Sequence, residues 1–142
     1  GPIGIGRTAH VGRNPADQNH VMALREVSDI LWRERRLLEV LEFKLEEERL
    51  LAEAGHQRWL HRATREVALV RGELRRAELD RAMAVAAVAH DLGIEHPPTL
   101  RDLAKAAPDP WSGIFERHRD ALIRAADQVA ELSARCEQAA AR

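Results

Sequence analysis

The segment His96–Trp111, HPPTLRDLAKAAPDPW, interrupts a chain whose sequence otherwise favours long helices. Its tandem prolines cannot continue a preceding helix, because proline lacks a backbone N–H and its ring clashes with the turn before it. Thr99 is a favourable N-cap, and Asp102 three residues later completes a capping-box pattern. Pro108 then ends the pattern. The segment therefore predicts a short connector helix between two longer ones.

A long helix follows the connector. Asp109 is the predicted N-cap, with Pro110 at the first helical position, where a missing N–H leaves no bond unmade. From there an apolar repeat with steps of three and four residues runs to the C-terminus, which is typical of a helix that buries one face. Only His118 breaks it. The repeat consists of Phe115, His118, Leu122, Ala125, Val129, Leu132, Cys136 and Ala139.

Two further long helices precede the connector. The first is predicted from Ala23 to a stop at Gly55, a length of about 48 Å at 1.5 Å per residue. Its repeat is Leu24, Val27, Leu31, Glu34, Leu38, Leu41, Leu45, Glu48 and Ala52. The second is predicted to end in a Schellman turn at Gly93, and its repeat is Leu60, Ala63, Val67, Val70, Leu74, Ala77, Arg81, Ala84, Val88 and Asp91.

The short loop between these two helices predicts that they run antiparallel. Residues 23–54 carry six basic and nine acidic side chains, and residues 57–92 carry seven basic and five acidic ones, so one helix is net acidic and the other net basic. Exposed pairs contribute only about 0–1 kcal/mol each, so this asymmetry selects register rather than adding much stability. The predicted fold is all-α: an elongated antiparallel three-helix bundle or coiled coil with a short connector helix before the C-terminal helix.

Length and composition limit the organisation and the partners. A chain of 142 residues fits one domain, and we expect it at residues 22–142. Residues 1–21 hold four glycines and no helical period; we expect a flexible leader, which a tag remnant or another non-native extension would also explain. The net charge of -1 gives no reason to expect nucleic acid as a partner. No apolar run is long enough for membrane insertion.

The residue types that carry chemistry are present without the spacing that chemistry needs. The seven histidines form no His-Glu-x-x-His pattern, so no metal site is predicted, and we expect them at solvated or rim positions. A phosphate-binding glycine loop is missing, and the lone Cys136 falls on a core position of the last helix. We therefore expect no enzyme, no catalytic residue and no cofactor. Trp32, Trp59 and Trp111 fit plugs at the bundle ends better than partner contacts.

The layout resembles the FlgN family of flagellar export chaperones. The resemblance is carried by LWRERRLLEVLEFKLEEERLLAEAG at 31–55, by HRATREVALVRGELRRAEL at 61–79 and above all by TLRDLAKAAPDPW at 99–111. It implies a cytosolic chaperone that binds the C-terminal amphipathic helices of the hook-associated proteins FlgK and FlgL. It also implies delivery of that cargo to the type III export apparatus.

The resemblance places cargo contact on the last helix, and the expected partner-binding residues are Leu122, Ile123, Ala126, Val129 and Leu132. Two interpretations stay open for them. Leu122, Val129 and Leu132 also fit the internal seam of the bundle, whereas Ile123 and Ala126 lie off the repeat and fit an exposed second stripe. The chain closes with ELSARCEQAAAR, poorer in large apolar residues than the C-terminal region of many family members.

Two other classes of protein remain as alternatives. A structural coiled coil or dimerisation protein without cargo would use the same repeats, but would not need the proline-bracketed connector. A four-helix metal or sensor bundle would need ligand spacings that the histidines do not supply, and a fourth long helix unless two chains pair. Whether the chain forms a homodimer is open at this level.

Overall fold

The computed structural model describes residues 15–141, which form four helices. The long helices are α1 (Pro15–Ala54), α2 (Gln57–Asp91) and α4 (Trp111–Ala140), and the short α3 (Leu100–Ala106) lies between α2 and α4. No strand occurs within the described residues. The predicted all-α bundle with a connector helix before the C-terminal helix is confirmed.

The first helix starts earlier than its apolar repeat. It begins at Pro15 rather than at Ala23, with proline at the position where its missing N–H is harmless. Residues 17–20 are exposed, and the buried core starts at Leu24. Residues 15–21, expected as part of a flexible leader, are therefore helical, and residues 1–14 lie outside the described part of the chain.

Both interhelical stops form at glycine, as predicted. Gly55 and Gly93 have φ angles of +73° and +74°, a region that only glycine adopts without strain. At the end of α2, Ile94 N–H donates to the Ala89 carbonyl at 3.0 Å and Gly93 N–H donates to the His90 carbonyl at 3.2 Å. This pair of bonds is the Schellman motif.

The connector helix is held at both ends by side-chain hydrogen bonds. Asp102 N–H donates to Thr99 Oγ1 at 3.1 Å, and Thr99 N–H donates to Asp102 Oδ2 at 3.0 Å, which is the predicted capping box. Ser112 Oγ donates to the Ala104 carbonyl at 2.7 Å and ties α3 to the start of α4. The connector is thus a fixed corner of the bundle.

The predicted cap of α4 at Asp109 is wrong. The cap position is Pro110, no side chain caps this helix end, and the Asp109–Pro110 peptide bond is cis. Trp111 N–H donates to the Pro108 carbonyl at 2.8 Å, so a tight turn occupies the residues where the extended cap was expected. Asp109 therefore lies one residue too early for its carboxylate to accept from the first helical turn.

Two apolar clusters fix the topology. One joins the N-terminal half of α1 to the C-terminal half of α2, the connector and the start of α4, with Leu31, Leu103 and Phe115 fully buried. The other joins the C-terminal half of α1 to the N-terminal half of α2 and the C-terminal half of α4. Hence α2 runs antiparallel to α1, and α4 runs parallel to α1.

The three tryptophans differ in their surroundings. Trp111 packs against the first cluster and stacks on Phe115 with ring centroids 5.9 Å apart, so it covers the connector end of the bundle. Trp32 and Trp59 remain largely exposed. Only Trp111 therefore fits the plug interpretation well.

The long helices do not pack equally on one another. Both α2 and α4 pack along α1, but among the described residues no Cα of α2 lies within 8 Å of a Cα of α4. Their side chains meet through the second apolar cluster. Farther toward the connector the two backbones leave a groove above α1.

Candidate partner-binding groove

The space between α2 and α4 is an open groove of about 620 Å³, here called the α2–α4 groove. Leucines of α1 lie at its base, α2 and α4 form its walls, and Leu100 of the connector closes one end. Most of the lining is apolar. The lining residues are Glu34, Leu38, Leu41, Arg71, Leu74, Glu78, Arg81, Leu100, Arg119, Leu122, Ile123, Ala126, Val129, Ala130 and Ser133.

Small side chains on α4 keep the groove open. Ala126, Ala130 and Ser133 face it at spacings of four and three residues, so they share one face of the helix. None of them can reach across to α2 as a leucine would. The α1 leucines at the base are buried, so the apolar surface that stays accessible in the groove is that of Leu74, Leu122 and Ile123 on its walls.

Four of the five expected partner-binding residues line this groove: Leu122, Ile123, Ala126 and Val129. Ile123 is 45% exposed and Ala126 is exposed, as an exposed second stripe requires. Val129 is buried in the second apolar cluster, and Leu122 is half-buried against both clusters. This part of α4 therefore contacts the core along one side and is open to the groove along the other.

Leu132 is the expected residue that the groove does not include. It is buried in the second apolar cluster and faces the other side of α4, toward Phe43 of α1. Leu132 therefore packs inside the bundle. Partner contact at Leu132 would have to come from that opposite side.

A buried ion pair lies at the groove wall. Glu34 of α1 is only 3% exposed, and its Oε1 lies 2.6 Å from Arg81 Nε of α2, without the alignment of a regular hydrogen bond. Burial raises the pKa of Glu34, and the Arg81 cation opposes that rise. Both residues are polar exceptions in the apolar repeats of their helices. Their positions therefore stand out in the sequence, but the contact between them does not follow from it.

The groove rim carries more positive than negative charge. Three arginines and two glutamates line it. Arg71 donates to Ser133 Oγ at 2.8 Å and links α2 to α4 across one end. Arg119 has no ion-pair partner among residues 15–141, so its guanidinium is available to an acidic group on a bound segment.

A second polar layer surrounds His118, whose side chain is 1% exposed. Arg35 lies 3.3 Å from His118 Nδ1, and a guanidinium can only donate, so Nδ1 accepts. His118 Nε2–H must then donate to Ser28 Oγ at 3.0 Å. Burial, reinforced by the nearby Arg35 and Arg117, lowers the pKa of His118 to about 4.

Ser28 and His118 are the residue types of a nucleophile and its base, but the arrangement does not suit that chemistry. The imidazole donates to the serine instead of accepting its proton, and both side chains are buried. The histidines were expected at solvated or rim positions, and the buried His118 corrects that expectation. The signal was its place in the apolar repeat of the last helix.

The other candidate chemistries are not assembled. Within residues 15–141, no group of three or more His, Cys, Asp or Glu side chains could hold a metal ion. Cys136 is buried and donates from Sγ to the Leu45 carbonyl at 3.1 Å, and burial raises its pKa to about 11. None of the helices in the described part of the chain is long and apolar enough to cross a bilayer.

Comparison with known proteins gives one family. The family model described as FlgN protein matches residues 22–142, a range that holds both apolar clusters, the connector and the groove. Neither the comparison with curated proteins nor the comparison with solved structures gives a match.

Proposed function

This chain belongs to the FlgN family, and on that premise we propose that it is a cytosolic flagellar export chaperone. In this proposal the α2–α4 groove binds the C-terminal amphipathic helix of a hook-associated protein of the FlgK or FlgL type. The chaperone then delivers that cargo to the type III export apparatus. The role needs binding and release only, without catalysis or a cofactor.

The observation that carries the proposal is the shape of the groove. Its lining on α4 extends from Arg119 to Ser133, which is about 21 Å at 1.5 Å per residue and matches about four turns of a bound helix. The partly exposed side chains of Leu74, Leu122 and Ile123 lie along its walls. A helix that lays an apolar face into such a groove is an established mode of recognition.

The chemistry of the lining supports an amphipathic helix as the occupant. Large apolar side chains of the cargo would pack on Leu74, Leu122 and Ile123, and burying one such side chain stabilises a complex by about 1.5–3 kcal/mol before ordering costs. The unpaired Arg119 favours a helix with a carboxylate near the connector end. Because Ala126 and Ala130 offer little contact area, the affinity should be moderate, which suits a cargo that must be released.

The amphipathic character of the cargo helix explains why it would need a chaperone. An amphipathic helix that is exposed before assembly presents an apolar stripe to water and to other copies of itself. Covering that stripe helix against helix prevents aggregation without requiring the cargo to fold further. The alternative, a structural coiled coil without cargo, leaves the groove without an occupant.

The proposal is tested by calorimetric titration of the chain with the C-terminal helices of the FlgK and FlgL proteins of its own organism. We expect binding with a negative heat-capacity change, weakened at least about tenfold by Ile123→Asp or Ala126→Asp. Leu50→Glu is the matched control, because Leu50 is an exposed apolar residue of α1 outside the groove. Absence of binding to both helices, or an equal loss with Leu50→Glu, would overturn the proposal.

A further inference from the structure

The outer face of α2 carries large apolar side chains that nothing in the described chain covers. Leu69 and Leu79 are each 67% exposed, and Met83 is 73% exposed. Together with Gly72 they follow helical spacing along the side opposite the core, and these four residues are here called the α2 outer stripe. Around Gly72, a built Cβ would meet only the end of the Arg75 side chain, so another segment can approach the helix closely there.

The charges around the stripe are positive. Arg65, Arg75 and Arg76 are exposed, and none of them has an ion-pair partner among residues 15–141. The acidic Asp80 nearby is already bound, because Arg33 of α1 donates to it at 2.6 Å. The α2 outer stripe is therefore a cationic amphipathic surface with an apolar centre.

A surface of complementary character lies on another side of the same chain. It is a depression of about 580 Å³ between α1 and α4, here called the Phe43 seam, lined by Glu39, Glu42, Phe43, Glu46, Gln128, Leu132 and Arg135. Phe43 is 62% exposed in it. Glu39 and Glu42 have no ion-pair partner in the described part of the chain, whereas the only lining cation, Arg135, is bound to Glu131 at 2.7 Å.

The seam accommodates the middle of the stripe. It spans residues 39–46 of α1, about 10 Å or two helical turns, which is the length from Gly72 to Leu79 and about half of the stripe. Phe43 can enter the space beside Gly72. Arg75 and Arg76 are then in a position to approach Glu39 and Glu42, the two unpaired acids.

We infer that a second copy of this chain docks its α2 outer stripe into the Phe43 seam. The occupant is identified by charge complementarity: the chain itself presents a cationic apolar helix face, and the middle two turns of that face fit its own acidic apolar seam. Both surfaces lie outside the α2–α4 groove, so the inference stands independently of the proposed cargo site. Every copy carries both surfaces, which gives a closed dimer if two contacts form together and an open chain otherwise.

The contact is small, and its strength should be correspondingly low. A patch about 10 Å long on each partner lies well below the standard size of a stable interface, so we expect a dissociation constant of roughly 100 µM for self-association. Since unpaired charges contribute, raising the salt concentration should weaken it. The protein is then monomeric when dilute and associates as its concentration rises.

Sedimentation velocity of the full chain from about 5 to 500 µM tests the inference. Leu79→Glu disables the stripe and Phe43→Lys disables the seam, and each should weaken self-association at least about tenfold. Both sites are exposed, so helicity should be unchanged. A mixture of the two variants should associate more than either alone, because each retains the surface that the other lacks.

Ile123→Asp is the control, since it changes the cargo groove and should leave self-association intact. A wild-type chain that stays monomeric at 500 µM would overturn the inference, and another occupant of the two surfaces would then be required. Failure of the mixture to associate, with both single variants monomeric, would overturn the pairing of these surfaces. The cargo titration probes the α2–α4 groove and not these two surfaces. Neither outcome of the self-association experiment therefore decides the proposed chaperone function.

Discussion

Glu34 of α1 and Arg81 of α2 meet at 2.6 Å, and each occupies a polar position in the otherwise apolar repeat of its helix. The pair joins the two helices at the wall of the α2–α4 groove. A carboxylate buried this deeply depends on its one cation. The pair therefore fixes how α1 and α2 sit against each other at the place where the groove needs a rigid wall.

Removing the cation should destabilise the fold strongly. Arg81→Met leaves Glu34 buried without its counter-charge, and we expect a loss of about 3 kcal/mol, the low end for such pairs because Arg81 keeps some contact with water. Replacing both residues with leucine should restore most of the lost stability. Urea denaturation measures both effects, and Arg76→Met, at an exposed site of the same helix, is the control. A double variant no more stable than Arg81→Met would contradict this view of the pair.

The sequence was sufficient to predict the helices, their glycine stops and the connector, because those features follow from local spacing and capping. The α4 cap at Asp109 failed because a tight turn after Pro108 takes precedence over the local cap preference. The groove could not be predicted from the sequence, for a different reason. A repeat says which side chains turn inward, but the separation of α2 from α4 depends on how both pack on α1.

The exposure of the candidate residues, though not a role in binding, follows from their positions relative to the repeat. Ile123 and Ala126 lie off the repeat and are exposed, as their positions indicated. Leu132, on the repeat, is buried away from the groove. The polar members of the repeats were visible as exceptions, but only the folded chain shows that Glu34 and Arg81 are partners.

Stability should fall as the solution is acidified through the range in which His118 titrates. Its pKa is about 4 in the fold and 6.5 when free, so below pH 6.5 the unfolded state binds the proton first. The contribution of neutral His118 to the free energy of unfolding is complete above pH 7 and is lost progressively toward pH 4. The loss reaches up to about 3 kcal/mol, at about 1.4 kcal/mol per pKa unit.

The measurement is urea denaturation between pH 4 and 7.5 for wild type and His118→Gln. Glutamine cannot gain the proton, so the variant should show a smaller decrease over this range. His61→Gln, an exposed site on α2, is the control and should follow wild type. Equal pH dependence of wild type and His118→Gln would show that the histidine is not held neutral by the fold.

The capping box should stabilise the connector measurably. Thr99→Ala removes the oxygen that accepts from Asp102 N–H, and we expect a loss of about 1 kcal/mol. Thr64→Ala, at an exposed site in the third turn of α2, should be neutral or slightly stabilising because alanine is the better helix former. Thermal denaturation compares the two. Equal effects would mean that the connector does not depend on this cap.

Cys136 should resist thiol reagents in the folded chain. With a pKa near 11 instead of 9, its thiolate fraction at pH 8 is roughly 100-fold lower, and burial slows the approach of reagent further. Alkylation by iodoacetamide should thus be at least about 100-fold slower in native protein than in urea. The chain holds one cysteine, so the signal is unambiguous. Native labelling at the denatured rate would show that this end of the bundle opens readily.

Site-specific photo-crosslinking to the cargo helix tests most directly whether the α2–α4 groove binds cargo. A photoreactive side chain at position 126 lies in the α2–α4 groove, and one at position 124 lies about 200° around the same helix. We expect the first position to capture the C-terminal helix of the cognate FlgK or FlgL protein and the second position not to capture it. Capture at position 124 with none at 126 would place cargo on the opposite face of α4 and contradict the assignment of the groove.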